Sequence, residues 1–300
     1  MTRALVVLSL LTRFFSGNPD DVKPRLGGPL LLLTGGGGDV TAGLQTAIDR
    51  IRNGGQIDVV VLRASGAEGY NPYFMEMDGV DSVLTMVITD RESAARPDVV
   101  QAVRDAELVY FAGGDQCNYI RWIKGTPVER AVERVHRRGG AVGGTSAGLA
   151  IMGQYAYDAC PNQSAKSAEV LLDPFHVDVS VSTGFFEWKA LRGVVTDTHF
   201  QQRDRLGRMI VFMARSGARL GVGVSEGTMA LVDRDGRGVV TGKGPVHIVV
   251  ASGKPETMKP LTFRGLRIVR FEAGERFDLR DLPAGKPLEV IAGRLPENAY

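Results

Sequence analysis

Cysteine and histidine are scarce in this 300-residue chain. The two cysteines, Cys117 and Cys160, exclude a disulfide-rich scaffold and a cysteine-based zinc site, though not one incidental bridge. The four histidines, His136, His176, His199 and His247, show no His-x-x-x-His spacing, so no histidine-rich metal site is expected and no cofactor is implied. Neither sign of charge is in excess. With 36 Lys and Arg against 34 Asp and Glu, the formal net charge is +2, which points to neither a nucleic-acid partner nor an acidic tail. Long apolar runs are also missing. The run Ala4 to Leu11, preceded by Arg3, is too short to span a membrane. It resembles the core of a short signal peptide, but Thr12 and Arg13 end it early and no small-x-small cleavage site precedes Asn18-Pro19-Asp20. Residues 1–28 are therefore expected to be a leader and linker, disordered or loosely helical, with export as the alternative to a favoured cytoplasmic location.

What the chain does have is enough apolar content, 44%, for a sizeable core. Pro29 to Thr34 is a short, almost wholly apolar run of the kind buried inside a parallel sheet, and Gly35 to Gly38 with Asp39 forms the turn after it. That run does not fit G-x-G-x-x-G, and no G-K-[ST] follows, so a tight turn beside a pocket is expected rather than a phosphate cradle. Helix over Ala42 to Ile51, strand over Ile57 to Leu62, a short helix over Tyr73 to Asp78, strand over Val83 to Ile88, helix over Pro97 to Ala106 and strand over Leu108 to Phe111 follow in alternation. A helix opening at Thr126-Pro127 runs to Arg138. Such alternation predicts an α/β fold with a mainly parallel central sheet and ligands at the carboxyl ends of its strands. From Met229 onwards short strands with Gly, Asp and Pro turns predict antiparallel β additions at the sheet edge. The expected division is a leader over 1–28, a catalytic α/β domain over 29–233 and a β-rich extension over 234–300 packed on the same domain.

The chemistry centres on Gly144-Thr145-Ser146-Ala147-Gly148, a G-x-S-x-G pattern between the strand-like Ala141-Val142 and the helix-compatible Leu149 to Met152. In a nucleophile elbow the serine sits on a strained strand-to-helix corner, and helix N–H groups face developing negative charge. A serine nucleophile needs a base and an orienting group. His136, beside Arg137 and Arg138, reads as a solvated surface residue, His247 as structural and His176 as a loop residue. His199 instead follows the strand-like Gly193-Val194-Val195 and opens a segment, read as helical, that carries Arg203, Arg205 and Arg208. It is expected to face the same sheet edge as the elbow. Glu226 ends Leu220-Gly221-Val222-Gly223-Val224-Ser225, with Glu187 and Glu169 as competitors for the acid. The order Ser, His, Glu differs from the Ser, acid, His of α/β-hydrolases.

Four motifs together carry a resemblance: Gly113-Gly114-Asp115-Gln116, Gly143 to Gly148, Asp197-Thr198-His199-Phe200 with Arg203, Arg205 and Arg208, and Gly221 to Glu226. In order and spacing, from about Pro29 to Asp233, they resemble the signature set of cyanophycinases, which share a serine peptidase family with bacterial aspartyl dipeptidase. The resemblance implies a class I glutamine amidotransferase-like, three-layer fold, with Ser146 where amidotransferases carry cysteine. It implies a Ser146, His199, Glu226 triad and a pocket using Gln116, Asp197, Arg203, Arg205 and Arg208. Cyanophycinases usually have Gln where this chain has Thr198.

The N–H groups of Ala147 and Gly114 are the expected oxyanion donors. The arginines offer bidentate contacts to substrate carboxylates, at most two of them pointing inward. Asp115 and Asp197 suit a substrate guanidinium or a backbone amide, and Cys117 a small buried position beside the pocket. The expected activity is serine-type exopeptidase cleavage of cyanophycin or its aspartyl-peptide fragments, with release of β-Asp-Arg-type dipeptides. An aspartyl or isoaspartyl dipeptidase and a non-catalytic amidotransferase-like binding protein are the alternatives. An acidic peptide is the expected partner and a homodimer the expected assembly, without nucleic acid or membrane.

Overall fold

A computed structural model describes residues 11–160 and 164–300. The first half of the chain alternates strand and helix, as its periodicity predicts. In order it forms β1 (Thr12–Gly17), β2 (Leu30–Thr34), α1 (Thr41–Arg52), β3 (Ile57–Arg63), α2 (Tyr70–Met75), β4 (Val80–Val87), α3 (Pro97–Asp105) and β5 (Leu108–Phe111). Next come α4 (Gln116–Ile123), α5 (Pro127–Arg137), β6 (Ala141–Thr145) and the single-turn α6 (Ala147–Ala150). Local chemistry explains the ends. Pro97 and Pro127 open α3 and α5, where a missing N–H costs nothing. Asp115 caps α4 by accepting the N–H of Cys117.

The second half forms β7 (Tyr155–Tyr157), α7 (Ser167–Leu172), β8 (Val181–Thr183), β9 (Val194–Asp197), α8 (Leu206–Ser216) and β10 (Leu220–Val224). The remaining strands are β11 (Thr228–Asp233), β12 (Arg237–Gly242), β13 (Val246–Ala251), β14 (Thr257–Met258), β15 (Leu261–Phe271), β16 (Arg276–Asp278) and β17 (Lys286–Val290).

These strands make two sheets. The larger has the order β1-β4-β3-β5-β6-β2-β11-β12-β16. Its centre, β4-β3-β5-β6-β2, is parallel throughout, and the flanking strands are antiparallel. Side chains alternate between its faces as the pleat requires. Leu30, Leu32, Val59 and Val61 pack with Leu44 and Ile48 of α1 and Phe74 of α2. Leu31, Leu33, Val60 and Leu62 pack with α3, α5 and the inner face of the second sheet. That sheet runs β14-β15-β13-β10-β9-β7-β8, with β17 beside β15, and its outer face is covered by α7 and α8. The fold is α/β, with mostly parallel central strands and antiparallel additions.

Three expectations need correction. Residues 1–10 of the expected leader lie outside the described residues, but Thr12–Gly17 is a strand, hydrogen-bonded along its length to β4. The antiparallel strands do not all extend one sheet edge: β13 and β15 join β9 and β10 in the second sheet. His136 is not solvated. It lies on the buried face of α5 against Trp188, ring centroids 4.9 Å apart, and burial pushes its pKa down to about 4.

Candidate active site

The site lies where the two sheets meet. Ser146 stands between β6 and α6 at φ 53° and ψ −113°, a left-handed backbone that a non-glycine residue seldom adopts. The surrounding glycines make this corner fit by close packing. A Cβ at Gly143 would stand 2.1 Å from the carbonyl oxygen of Leu32, one at Gly144 2.3 Å from that of Phe111, and one at Gly148 2.1 Å from the same atom. The N–H of Ser146 is spent on Thr34 O at 3.1 Å, while the N–H groups of Leu149 and Ala150 return to Ser146 O. The first amide of α6, that of Ala147, has no acceptor within its own helix, as at every helix start.

His199 follows β9 and Glu226 follows β10, adjacent parallel strands of the second sheet. The expected single sheet edge is thus two edges facing each other. Ser146 Oγ is 2.8 Å from His199 Nε2, and His199 Nδ1 is 2.6 Å from Glu226 Oε1. The N–H of Glu226 donates to Gln202 Oε1 at 2.9 Å. His199 is itself at φ 44°, and its N–H binds Gly35 O at 2.8 Å. Burial, as the largest cause, lowers the pKa of His199. The Arg203 and Arg205 charges add to this, against the opposing hydrogen bond and charge of Glu226.

The glycine run after β2 wraps this relay. A Cβ at Gly36 would stand 2.5 Å from the His199 ring, and one at Gly37 2.6 Å from Glu226 Cβ. Both residues have positive φ, 86° and 70°. Glycine is required here for space as well as conformation.

In front of Ser146 lies a cavity of about 280 Å³ whose lining includes Gly114, Gln116, Ala147, Thr198 and the three arginines. Gly114, at φ 143°, lies in the turn after β5 and lines the cavity together with Ser146 and Ala147. Asp115 lines the cavity too, but its Oδ1 is committed to the α4 cap at 2.8 Å.

The floor of the cavity is an ion cluster. Asp197 is buried, and Arg208 grips it with two nitrogens, Nε to Oδ2 at 2.7 Å and Nη2 to Oδ1 at 2.6 Å. Arg205 Nη1 adds a contact to Oδ1 at 3.4 Å and binds Thr198 O and Oγ1 at 2.9 and 2.8 Å. Burial would raise the pKa of Asp197, but the charges of Arg208 and Arg205 outweigh it and hold the pKa below the ordinary value. Burial pulls Arg205 down to about 10. Asp197, read from the sequence as suited to a substrate guanidinium or a backbone amide, is engaged within the protein by the two arginines and by the N–H of Thr198, which donates to Oδ1 at 2.8 Å. Arg203 is different. Its side chain is 55% exposed, and its Nε stands 3.9 Å from Glu226 Oε1. Neither Arg203 nor Arg205 belongs to a helix, because α8 begins only at Leu206, so the helical reading of that segment is corrected.

Several contributors were not anticipated. Tyr157 stacks under the Arg208 guanidinium, 4.8 Å from ring centroid to carbon, and Ser164 Oγ accepts from Arg208 Nη1 at 2.8 Å. Cys117, expected to be a buried small residue, is bonded to Cys160. The bridge ties the N-terminal turn of α4, which supplies Gln116, to the strand-following loop that supplies Ala159. The glycine run was legible as a pocket-side turn, but not the residues it covers.

An elbow serine at the carboxyl end of a parallel strand, hydrogen-bonded to an imidazole that binds a carboxylate, defines an α/β serine hydrolase. The chain matches Peptidase family S51 over residues 31–239. It is 33% identical over 224 residues to a cyanophycinase of Nostoc sp., covering 70% of this chain and 69% of that one. A cyanophycinase of Synechococcus elongatus is 28% identical over 267 residues, 84% of this chain and 79% of that one. Among solved structures, a peptidase from an acI-B1 Actinobacterium shares the fold, with a TM-score of 0.60 at 20% identity over 86% of this chain and 99% of that one. This chain belongs to peptidase family S51 and is a serine peptidase.

Proposed function

We propose that the chain hydrolyses cyanophycin or aspartyl-peptide fragments of it, releasing β-Asp-Arg-type dipeptides, with Ser146 as nucleophile, His199 as general base and Glu226 as the group that orients it. The observation that carries this reading is the unbroken path from Ser146 Oγ through His199 to Glu226, 2.8 and 2.6 Å, opening on a cavity floored by arginine. Ser146 Oγ attacks the scissile carbonyl as His199 Nε2 takes its proton. The amides of Ala147 and Gly114 receive the oxyanion, a contribution of about 3 kcal/mol per donor in comparable sites. His199 then protonates the leaving amine, and water repeats the sequence on the acyl-enzyme.

Substrate class follows from charge. Three arginines line the cavity against Asp115 in the same lining and Asp197 behind it, which leaves one formal positive charge in surplus, with Arg203 at the rim. Carboxylates of an aspartyl backbone match that field, and Arg203, exposed at the rim, can offer them a two-point contact. Gln116 also lines the cavity and is suited to a backbone amide.

The test is product analysis by mass spectrometry after incubation with cyanophycin, β-Asp-Arg and Asp-X dipeptides, with a fluorophosphonate label in parallel. Label on the native chain but not on Ser146→Ala, with β-Asp-Arg appearing from the polymer, is expected. Dipeptide cleavage with the polymer untouched would shift the reading to an aspartyl dipeptidase. Full activity in Ser146→Ala would sink the mechanism.

A further inference from the structure

The turn that carries His199 is held from behind by a residue far from it in sequence. Tyr300 packs its ring edge-on against Phe200 at 5.9 Å and against His247 at 5.5 Å. Its hydroxyl accepts the N–H of Leu206 at 3.1 Å and donates to Asp204 Oδ1 at 3.0 Å, with Phe200 O at 3.5 Å. Leu206 is the first residue of α8, so its N–H has no acceptor inside the helix, and Tyr300 supplies one. Burial first, and then the negative charge of Asp204, raise the pKa of Tyr300, so the hydroxyl stays a donor.

Other contacts remove the remaining slack from this turn. Ser167 Oγ donates to Asp204 O and accepts the N–H of Arg208 at 3.2 Å. The Phe200 ring lies on Gly223, where a Cβ would stand 2.4 Å from it. The other side of the same turn, residues 199–206, meets the site: His199 binds Ser146 and Glu226, Gln202 accepts from Glu226, and Arg205 binds Asp197. Moving Asp204 or Leu206 would therefore move Arg203 and Arg205 relative to the imidazole. Tyr300 lies outside residues 31–239, the part that matches the family.

We propose that Tyr300 is a positioning residue for hydrolysis: its hydroxyl clasps Asp204 and Leu206 and thereby sets His199, Gln202 and Arg205 against Ser146 and Glu226. This rests on the reading of Ser146 and His199 given above. The ring alone would fill space; the hydroxyl is what fixes the turn's position.

The decisive variant is Tyr300→Phe, which keeps the ring between Phe200 and His247 and removes only the clasp. Its kcat/KM on the peptide substrate should fall at least about fivefold, the factor that one lost hydrogen bond corresponds to, mainly in kcat. The acid limb of kcat/KM should also move to higher pH. Burial is the largest cause of the lowered His199 pKa, and the charged groups facing the ring are Glu226, Arg203 and Arg205. A looser turn admits water to the imidazole and moves the arginines away, and both changes raise its pKa. The position of that limb does not depend on how much protein is folded, so it separates positioning from simple loss of stability. Removing Tyr300 altogether should move the limb in the same direction and further. An unmoved limb in Tyr300→Phe, or activity within twofold of the native chain, overturns the proposal if Ser146→Ala is inactive. Hydrolysis that survives Ser146→Ala removes the catalytic reading, and the clasp with it.

Discussion

Arg208 holds Asp197 by two parallel hydrogen bonds, 2.7 and 2.6 Å, with both side chains almost entirely out of water. An ion pair in such a place costs much desolvation, and removing one partner leaves the other charge uncompensated. Asp197→Ala would strand Arg208 and Arg205 together under Ser146. The expected loss is about 3–5 kcal/mol of folding stability, read as a lower urea midpoint at unchanged slope. A shift smaller than about 1 kcal/mol would mean that water already reaches the cluster.

Gly37 offers a test of the relay that leaves its three members in place. With φ at 70° and Glu226 Cβ 2.6 Å from where a Cβ would go, Gly37→Ala must push the carboxylate away from His199. Displacement by about 1 Å costs on the order of a hundredfold in rate when geometry is this tight. Steady-state kinetics on the variant should show that loss, with far-ultraviolet circular dichroism unchanged. Activity within a few-fold would show that Glu226 contributes little through its position.

The base should work in mildly acidic solution. As the proposed general base, His199 must be neutral to accept the Ser146 proton, and its pKa is lowered by burial, with the Arg203 and Arg205 charges reinforcing the effect. A lowered pKa keeps the imidazole neutral to lower pH. The acid limb of kcat/KM, which reports the free enzyme, is therefore expected below about 6.5, the ordinary imidazole value. A limb at or above that value would contradict the assignment of His199 in this environment.

Arg203 and Arg208 should separate in their effects. Lysine keeps the charge of arginine but loses the planar fork. Arg203→Lys should lower kcat/KM on acidic peptides about tenfold, or ~1.4 kcal/mol, and leave a small uncharged ester within a few-fold. Its stability should stay within about 0.5 kcal/mol, as expected for an exposed position. Arg208→Lys should instead lose activity on both substrates, because Asp197 then loses its two-point partner. Equal losses in the two variants would remove the distinction between a rim residue and a floor residue.

Much of this arrangement is legible in sequence where the determinants are local. Strand β5 falls at Leu108–Phe111, as its four apolar residues predict, and α3 opens at Pro97 with Val99, Val100 and Val103 on its buried face. The elbow, His199 and Glu226 stood out because each ends a strand-like run in a turn. What stayed hidden depends on partners distant along the chain. An apolar strand such as Val194 to Asp197 carries no mark of which sheet it joins, so one expected sheet became two. Asp197 and Arg208, eleven residues apart, meet only because α8 starts late. Thr12–Gly17 is mostly exposed and gave no periodic signal, yet it finds the free edge of β4. His136 sits among charged neighbours in a helix whose buried face extends one position further than charge alone suggests.

The division of the relay between sheets bears on how this chain would fail. Ser146 rides on the nine-stranded sheet, while His199 and Glu226 ride on the eight-stranded one. Across the boundary run the hydrogen bonds from His199 N–H to Gly35 O and from Gly227 N–H to Gly36 O, each 2.8 Å. Slippage of one sheet over the other by a fraction of a bond length would leave both sheets fully paired and every helix intact. It would still pull the imidazole off the serine. Turnover is thus a more sensitive gauge of that interface than any spectroscopic measure of secondary structure, and in mild denaturant the chain should go silent before it comes apart.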